Sequence, residues 1–136
     1  MSFLFDTSSL LLLIRSSNED KKLNALKQSK VLDLTYFELG NAIWKESELL
    51  QSLTEDQRDT LVRAIVKTLT TIESVTLYAD DFTDIFDIAR SERLTFYDSS
   101  YIYAAKANKM ILVSDDGRLS RIARKYTKAQ SVHSLL

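Results

Sequence analysis

The chain has 136 residues, of which 45% are hydrophobic and 27% charged, and its formal net charge at pH 7 is −1. This composition excludes a disordered chain and predicts that residues 1–136 fold as one domain around one core. The sequence has no cysteine and one histidine, His133, which excludes disulfides, thiolate metal sites and a cysteine nucleophile and argues against a histidine-rich zinc site or a histidine-dependent triad.

Hydrophobic residues do not form a long segment. The longest aliphatic run, residues 10–14, is far shorter than a membrane span, and the N-terminus lacks the basic start of a secretory signal. We therefore expect a cytoplasmic protein that does not enter the membrane. After Asp116 the chain has no acid but five cations, which form either a local basic surface or an ordinary solvated helix face. They are Arg118, Arg121, Arg124, Lys125 and Lys128.

Short apolar runs alternate with longer segments of helical spacing. Strands are predicted at residues 3–5, 31–34, 75–77 and 110–113, with a weaker candidate at 131–133. Helices are predicted at residues 36–50, 55–70, 81–90, 99–108 and 117–126. Thr54 and Gln57 have the spacing of a capping box at the start of the second helix. The alternation predicts an α/β sandwich with a mainly parallel central sheet.

Several carboxylates stand where predicted strands end or helices begin. Asp6 directly follows the first strand, and Asp115 and Asp116 follow the fourth. Glu38 lies early in the helix after the second strand, and Asp98 lies where the fourth helix opens. Ligands of parallel α/β sheets bind just beyond the carboxyl ends of the strands. We therefore expect these acids to converge on one edge of the sheet.

Each acid also has an ordinary structural explanation. Asp98 and one of Asp115 and Asp116 could be helix N-caps. Glu38 could be a first-turn helix acid, and Asp6 could be a turn residue held by the hydroxyls that follow it. Four acids gathered together would repel one another, however, unless a cation compensates them. Carboxylate ligands suit Mg²⁺ or Mn²⁺, which can generate a nucleophile from water and stabilise phosphodiester cleavage.

Four stretches resemble the four motifs of the PIN-domain ribonucleases. FLFDTSSLL resembles the first motif, an apolar strand ending in Asp followed by Thr or Ser, and YFELGNAIWK resembles the second, a Glu followed three residues later by Asn. FYDSSYIYAAK is similar to the third motif and LVSDDGRLSRIA to the fourth. The order, the spacing and the total length match over nearly the whole chain. The resemblance looks closest to the VapC-type toxins of prokaryotic toxin–antitoxin pairs.

The resemblance implies a PIN-like α/β fold, a three-layer α/β/α sandwich with a mainly parallel central sheet, and metal-dependent endonucleolytic cleavage of RNA. The implied catalytic and metal-binding acids are Asp6, Glu38, Asp98 and Asp116, with Asp115 as an additional metal partner. The implied supporting residues, which would hold a carboxylate, a metal-bound water or a phosphate, are Thr7, Ser8, Asn41 and Ser114. VapC-type proteins are generally homodimers inhibited by a neighbouring antitoxin, so we expect both partners. Residues 10–14 and 44–69 hold more apolar side chains than one small core obviously needs.

An RNA substrate would require cations near the acids. The candidates are Arg118, Arg121, Arg124 and Lys125 on the last helix and Lys45 one turn beyond Asn41. Three tyrosines, Tyr97, Tyr101 and Tyr103, could stack on unpaired bases or belong to the core. Two alternatives stay open at this point: a housekeeping RNA-processing nuclease, and a PIN-like scaffold that binds RNA or a protein without cleaving it.

Overall fold

The structure, a computed structural model, describes residues 2–136 and contains a sheet of five strands. The strands are β1 (Phe3–Phe5), β2 (Ser29–Leu32), β3 (Glu73–Val75), β4 (Ile111–Val113) and β5 (Ala129–Gln130). Their order is β3-β2-β1-β4-β5, and every pairing is parallel. The predicted parallel sheet is confirmed, with β1 at its centre.

Seven α-helices surround the sheet within the described range. They are α1 (Thr7–Ile14), α2 (Glu19–Lys27), α3 (Asp33–Trp44), α4 (Glu55–Thr71), α5 (Phe82–Glu92), α6 (Phe96–Ala107) and α7 (Gly117–Ala123). A π-helical turn, Lys45–Leu49, continues α3, and 3-10 turns lie at Ala79–Asp81 and Val132–Leu135. No helix in residues 2–136 combines the length and the apolar character that crossing a membrane would take.

The helices form two layers because neighbouring residues of each strand point to opposite faces of the sheet. Phe5 packs with α1, α3 and α4 in one cluster, and Leu4 packs with α6 and α7 in the other. Both side chains are fully buried. This arrangement confirms the predicted three-layer α/β/α sandwich.

Two helices, α1 and α2, were not predicted. Helix α1 buries five of its eight residues, including most of the aliphatic run 10–14, so the run shows no polar face that would reveal a helical period. Helix α2 was missed for the opposite reason: it is strongly polar, and Ala25 is its one buried residue. The aliphatic run therefore belongs to the core rather than to a spare apolar surface.

Several boundaries differ from the prediction. Strands β2 and β3 each lie two residues earlier than predicted, and α3 begins at Asp33 directly after β2. The fifth strand ends at Gln130, because Ser131 instead caps the following 3-10 turn by accepting a hydrogen bond from the His133 amide at 3.1 Å. Helix α4 begins as predicted, with both bonds of the Thr54–Gln57 capping box in place.

Candidate active site

The order of the strands determines where the predicted acids lie. Strands β1 and β4 are neighbours, so Asp6 and the pair Asp115–Asp116 leave the sheet at the same carboxyl edge. Strand β2 lies on the other side of β1 and leads directly into α3, which carries Glu38. The N-terminus of α6 carries Asp98. The chain passes from β1 to β2 on one side of the sheet and from β4 to β5 on the other. Parallel α/β sheets form ligand sites where the strand order reverses in this way. We call this region the acid edge.

Asp6 lies at the bottom of the acid edge and is only 6% exposed. Its Oδ1 accepts a hydrogen bond from the Ser9 amide at 2.9 Å and caps α1. Burial raises the pKa of Asp6, the charge of Asp115 raises it further, and hydrogen bonding from Ser114 and Ser9 opposes this increase. The buried position of Asp6 therefore makes its ionised carboxylate less stable than that of an exposed aspartate.

Ser9 supplies a contact that the sequence reasoning assigned to its neighbour Ser8. The Ser9 amide binds Asp6, and the Ser9 hydroxyl accepts a hydrogen bond from the Asp115 amide at 3.1 Å, so Ser9 joins β1 to β4. Ser8 is exposed. The N-cap spacing, in which the cap residue accepts from the amide three residues later, was the signal that could have identified Ser9.

Glu38 belongs to a hydrogen-bond network of four side chains, the others being Thr7, Thr35 and Tyr101. Its Oε1 accepts from the Thr7 hydroxyl at 2.8 Å and from the Tyr101 hydroxyl at 2.6 Å. The Thr35 hydroxyl lies 2.7 Å from the Tyr101 oxygen. Thr7 therefore does hold a carboxylate, but that of Glu38. Asn41, one turn after Glu38, is exposed.

The three candidate stacking tyrosines have different environments. Tyr101 is 2% exposed and lies in the core, so the hypothesis that it stacks on a base is wrong. Tyr103 donates a hydrogen bond to Asp81 at 2.6 Å, and Tyr97 is exposed. Sequence reasoning missed the role of Tyr101, although its position three residues after Asp98 places both on one face of α6.

The two acids after β4 have separate structural roles. Asp116 is the N-cap of α7, and its Oδ1 accepts from the Arg118 and Leu119 amides at 3.0 Å each. The Asp116 amide donates to the Ser114 hydroxyl at 3.1 Å. Asp115 instead anchors the C-terminal turn, because its Oδ1 accepts from the Ser131 hydroxyl and, at 3.1 Å, from the Val132 amide.

The electrostatic environment of Asp98 indicates that the acids are close to one another. Burial is the main cause that raises the pKa of Asp98, and the charges of Asp116, Asp6 and Glu38 raise it further, whereas Arg118 lowers it. The N-cap explanation of Asp98 is wrong, because Thr95 caps α6 and accepts from the Asp98 amide at 3.1 Å. The structure thus brings all four predicted acids to one edge.

The acids fit a divalent cation in kind but are not assembled around one point. All are oxygen donors, which suits Mg²⁺ and Mn²⁺. Within residues 2–136, however, no three His, Asp or Glu side chains lie close enough together to hold one ion. Asp6, Glu38 and Asp116 each accept a hydrogen bond from a protein donor through one carboxylate oxygen. Binding of one ion would therefore require these acids to move closer together.

The predicted RNA-binding cations do not form one track. Arg118 lies at the acid edge, where its charge acts on Asp98. Arg124 and Lys125 line a hollow of about 460 Å³ beside Met110, at the amino end of β4, and Lys125 forms an ion pair with Glu92 at 2.9 Å. Two further candidates, Arg121 and Lys45, are exposed. The C-terminal end of α7 therefore points away from the acids.

Comparisons with known proteins agree with this geometry. Residues 3–125 match the PIN domain family. Exonuclease VapC9 of Pyrobaculum aerophilum is 30% identical over 119 residues, which cover 88% of this chain and 84% of the relative. The chain therefore belongs to the PIN domain family, and within it to the VapC-type members. The resemblance seen in the sequence motifs is confirmed.

Solved structures show the same fold. The crystal structure of PAE2754 from Pyrobaculum aerophilum matches with a TM-score of 0.82 and 29% identity, covering 99% of this chain and 86% of that chain. A chain of VapBC2 from Rickettsia felis matches with a TM-score of 0.67 and 14% identity, covering 96% of this chain and 98% of that chain. The second likeness concerns the fold alone.

The raised pKa of Asp98 leads to a prediction about stability. In metal-free buffer, Asp98→Asn is expected to raise the melting temperature at pH 7, because the amide removes a carboxylate whose charged form is disfavoured in the folded protein. A raised folded-state pKa gives stability that is lost as the pH rises through it, so the advantage of the variant should shrink toward pH 4. Thermal unfolding with EDTA at several pH values measures this, at roughly 4 °C for each kcal/mol.

The control for this prediction is Asp87→Asn, which removes an exposed acid whose one ion pair within residues 2–136 is with Arg90 on α5, at 3.9 Å. Its melting temperature should follow that of the native chain within about 2 °C at every pH, since exposed ion pairs contribute little. A lower melting temperature for Asp98→Asn than for the native chain at pH 7 would contradict the argument.

Proposed function

We propose that this chain is a Mg²⁺- or Mn²⁺-dependent endoribonuclease and the toxin of a VapBC-type toxin–antitoxin pair, acting in the cytoplasm. The observation that carries the proposal is the position of the acids: the adjacent strands β1, β2 and β4 bring Asp6, Glu38 and Asp116 to one edge of the sheet, close enough for their charges to act on Asp98, in a chain of the PIN domain family. Acids held together against their mutual repulsion favour a cation site over separate structural roles in caps and turns.

The residues that would hold the cation are Asp6, Glu38, Asp98 and Asp116. In Glu38 and Asp116 one oxygen is anchored, and within residues 2–136 the other oxygen, Oε2 or Oδ2, has no protein donor. Anchoring one oxygen restricts the rotation of the carboxylate and leaves the other oxygen for a ligand. A bound divalent cation supplies activation of water and neutralisation of phosphate charge at such a site.

The raised pKa values of two of the acids support the same proposal. Asp6 and Asp98 both have raised pKa values, so each gains a proton more readily than an ordinary aspartate. Cation binding displaces such protons, since the ligand is the ionised carboxylate. Affinity for Mn²⁺ should therefore rise steeply with pH through the range in which these carboxyls ionise.

Arg118 is the best placed of the predicted RNA-binding cations. It is exposed at the start of α7, one of its Nη atoms donates to the Arg93 carbonyl at 3.1 Å, and its charge reaches Asp98. We assign it to a phosphate next to the scissile bond. Asn41 and Lys45, both exposed on or just after α3, are candidates for the phosphates on the Glu38 side. Asp115, occupied with the C-terminal turn, is proposed only as an additional metal partner.

RNA cleavage is the direct test. The native chain with Mn²⁺ is expected to open a circular RNA, because an endonuclease needs no free end. Asp6→Asn and Asp98→Asn should each lower the rate by at least about 100-fold, as losing a preorganised charged group does in other enzymes. The exposed-acid variant Asp87→Asn should retain the native rate. Denaturing gel electrophoresis of end-labelled linear RNA, run in parallel, locates the cuts.

The outcomes separate the parts of the proposal. The relative from Pyrobaculum aerophilum carries the name exonuclease. If linear RNA is shortened from one end while the circle stays intact, the endonucleolytic part is wrong. If the native chain hydrolyses neither RNA with Mn²⁺ or Mg²⁺ but binds both, the chain is a scaffold and the proposal fails.

The toxin role predicts an effect on growth. Expression of the native chain alone should arrest a bacterial culture, whereas Asp98→Asn should not, because arrest depends on hydrolysis. Co-expression of a small DNA-binding protein from the adjacent reading frame should restore growth. Colony counts after induction, with immunoblots to verify equal protein levels, measure this. Normal growth with abundant, active native protein would indicate an RNA-processing enzyme instead.

We also propose that the chain forms a homodimer through α3. Phe37 is 78% exposed and Trp44 is 51% exposed, and their separation of seven residues places them on one face of the helix. Large apolar side chains grouped on one face are typical of an interface. Sedimentation velocity should show a dimer for the native chain and a monomer for Phe37→Ser/Trp44→Ser. The control Leu23→Ser, an exposed leucine of α2, should stay dimeric; a monomeric native chain at micromolar concentration would refute the interface.

A further inference from the structure

We propose that Tyr101 is a positioning residue for Glu38: its buried hydroxyl fixes Oε1 of the carboxylate and so leaves Oε2 as the metal-binding oxygen. The inference rests on the proposed cation site and adds a residue to it. Tyr101 touches neither substrate nor cation in this assignment, and it acts only through Glu38.

Proton counting fixes the direction of the hydrogen bonds. An ionised Glu38 can only accept, so the single proton of the Tyr101 hydroxyl is donated to Oε1 at 2.6 Å. Thr35, 2.7 Å from the Tyr101 oxygen, must then donate to it. The Thr7 hydroxyl lies 2.8 Å from both Oε1 and the Tyr101 oxygen, and its proton bridges them. Donors from α1 and α6 thus meet at one carboxylate oxygen of α3, and Thr35 of α3 supports the Tyr101 hydroxyl.

Burial makes this arrangement stiff. Tyr101 is almost fully buried among Leu4, Leu32 and Ile102, and Thr35 is fully buried. The aromatic ring cannot move without disturbing close-packed side chains, so its hydroxyl stays in place. Glu38, by contrast, is partly exposed and has a flexible side chain that would otherwise sample several rotamers. A fixed donor in the core therefore sets the position of a carboxylate at the surface before any ligand arrives.

Helix α6 provides a matched comparison. Tyr103 lies two residues after Tyr101 and donates a hydrogen bond of the same length, 2.6 Å, to the carboxylate of Asp81. Asp81 precedes α5 and is not among the charges that act on Asp98. The two tyrosines therefore make equivalent bonds to carboxylates, but only that of Tyr101 reaches the acid edge.

The test compares Tyr101→Phe with Tyr103→Phe, since each variant loses one hydroxyl and keeps its ring. Mn²⁺ affinity is measured without substrate, by electron paramagnetic resonance of free Mn²⁺ during titration. Tyr101→Phe should bind Mn²⁺ at least about 10-fold more weakly, the usual effect of losing a residue that orients a metal ligand. Tyr103→Phe should bind like the native chain. In RNA cleavage at saturating Mn²⁺, Tyr101→Phe should lower kcat and leave KM for RNA unchanged.

A double-mutant cycle links the effect to Glu38. In a Glu38→Gln background, adding Tyr101→Phe should cause no further loss of Mn²⁺ affinity, because the two residues act through one contact. If Tyr101→Phe does not fold, Thr35→Val takes its place, since it removes a donor to the tyrosine oxygen and keeps the shape of the side chain. A loss of about 3-fold or more in Mn²⁺ affinity is expected for it.

The outcomes distinguish the inference from the proposed function. Native-like Mn²⁺ affinity of Tyr101→Phe, with native RNA cleavage intact, would overturn the role of Tyr101 and leave the nuclease proposal standing. Equal losses for Tyr101→Phe and Tyr103→Phe would show a general effect on α6 and would also overturn it. A native chain that binds no Mn²⁺ would overturn both proposals together.

Discussion

A hydrogen bond from the Ser9 amide to the buried carboxylate of Asp6 lies at the end of the central strand, and the rest of the acid edge is organised around it. A charge in that position is costly, and the hydroxyls of Ser9 and Ser114 offset only part of the cost. The same Ser9 hydroxyl accepts from the Asp115 amide, which ties the end of β1 to the end of β4. Ser9 therefore both reduces the cost of burying the Asp6 charge and holds the ends of β1 and β4 together.

Structural and proposed chemical roles coincide at these acids. Asp6 and Asp116 are helix N-caps, a role that the sequence suggested for Asp116 but not for Asp6, and they also lie beside the other two acids. There is no conflict, because an N-cap needs one carboxylate oxygen and the positive end of the helix dipole stabilises the charge. Short helices that begin directly after parallel strands thus hold acids at the strand ends, where a sheet of this topology forms its ligand sites.

The sequence predicted the architecture because β1 and β4 are clear apolar runs, and α4 and α7 have the apolar spacing of helices, with a capping box at the start of α4. It failed where local pattern and tertiary burial disagree. Residues 10–14 of α1 are all aliphatic and so show no helical period, although Leu12 is exposed, and α2 is too polar to look amphipathic. The site acids were identifiable from their positions after strands, whereas Tyr101 was not, since an aromatic residue on a helix gives no sign of whether its hydroxyl faces a carboxylate. Its role depends on α1, α3 and α6 meeting, and only the folded chain shows that.

The contact between Asp115 and the C-terminal turn has a consequence for spectroscopy. Val132 has no exposed surface, and its amide proton is bound to a carboxylate oxygen of the residue directly before Asp116. Exchange of that proton with deuterium requires the turn to detach from the loop after β4. A single backbone resonance of Val132 therefore gives an isotopic record of how often that loop opens, independent of any ligand or reaction.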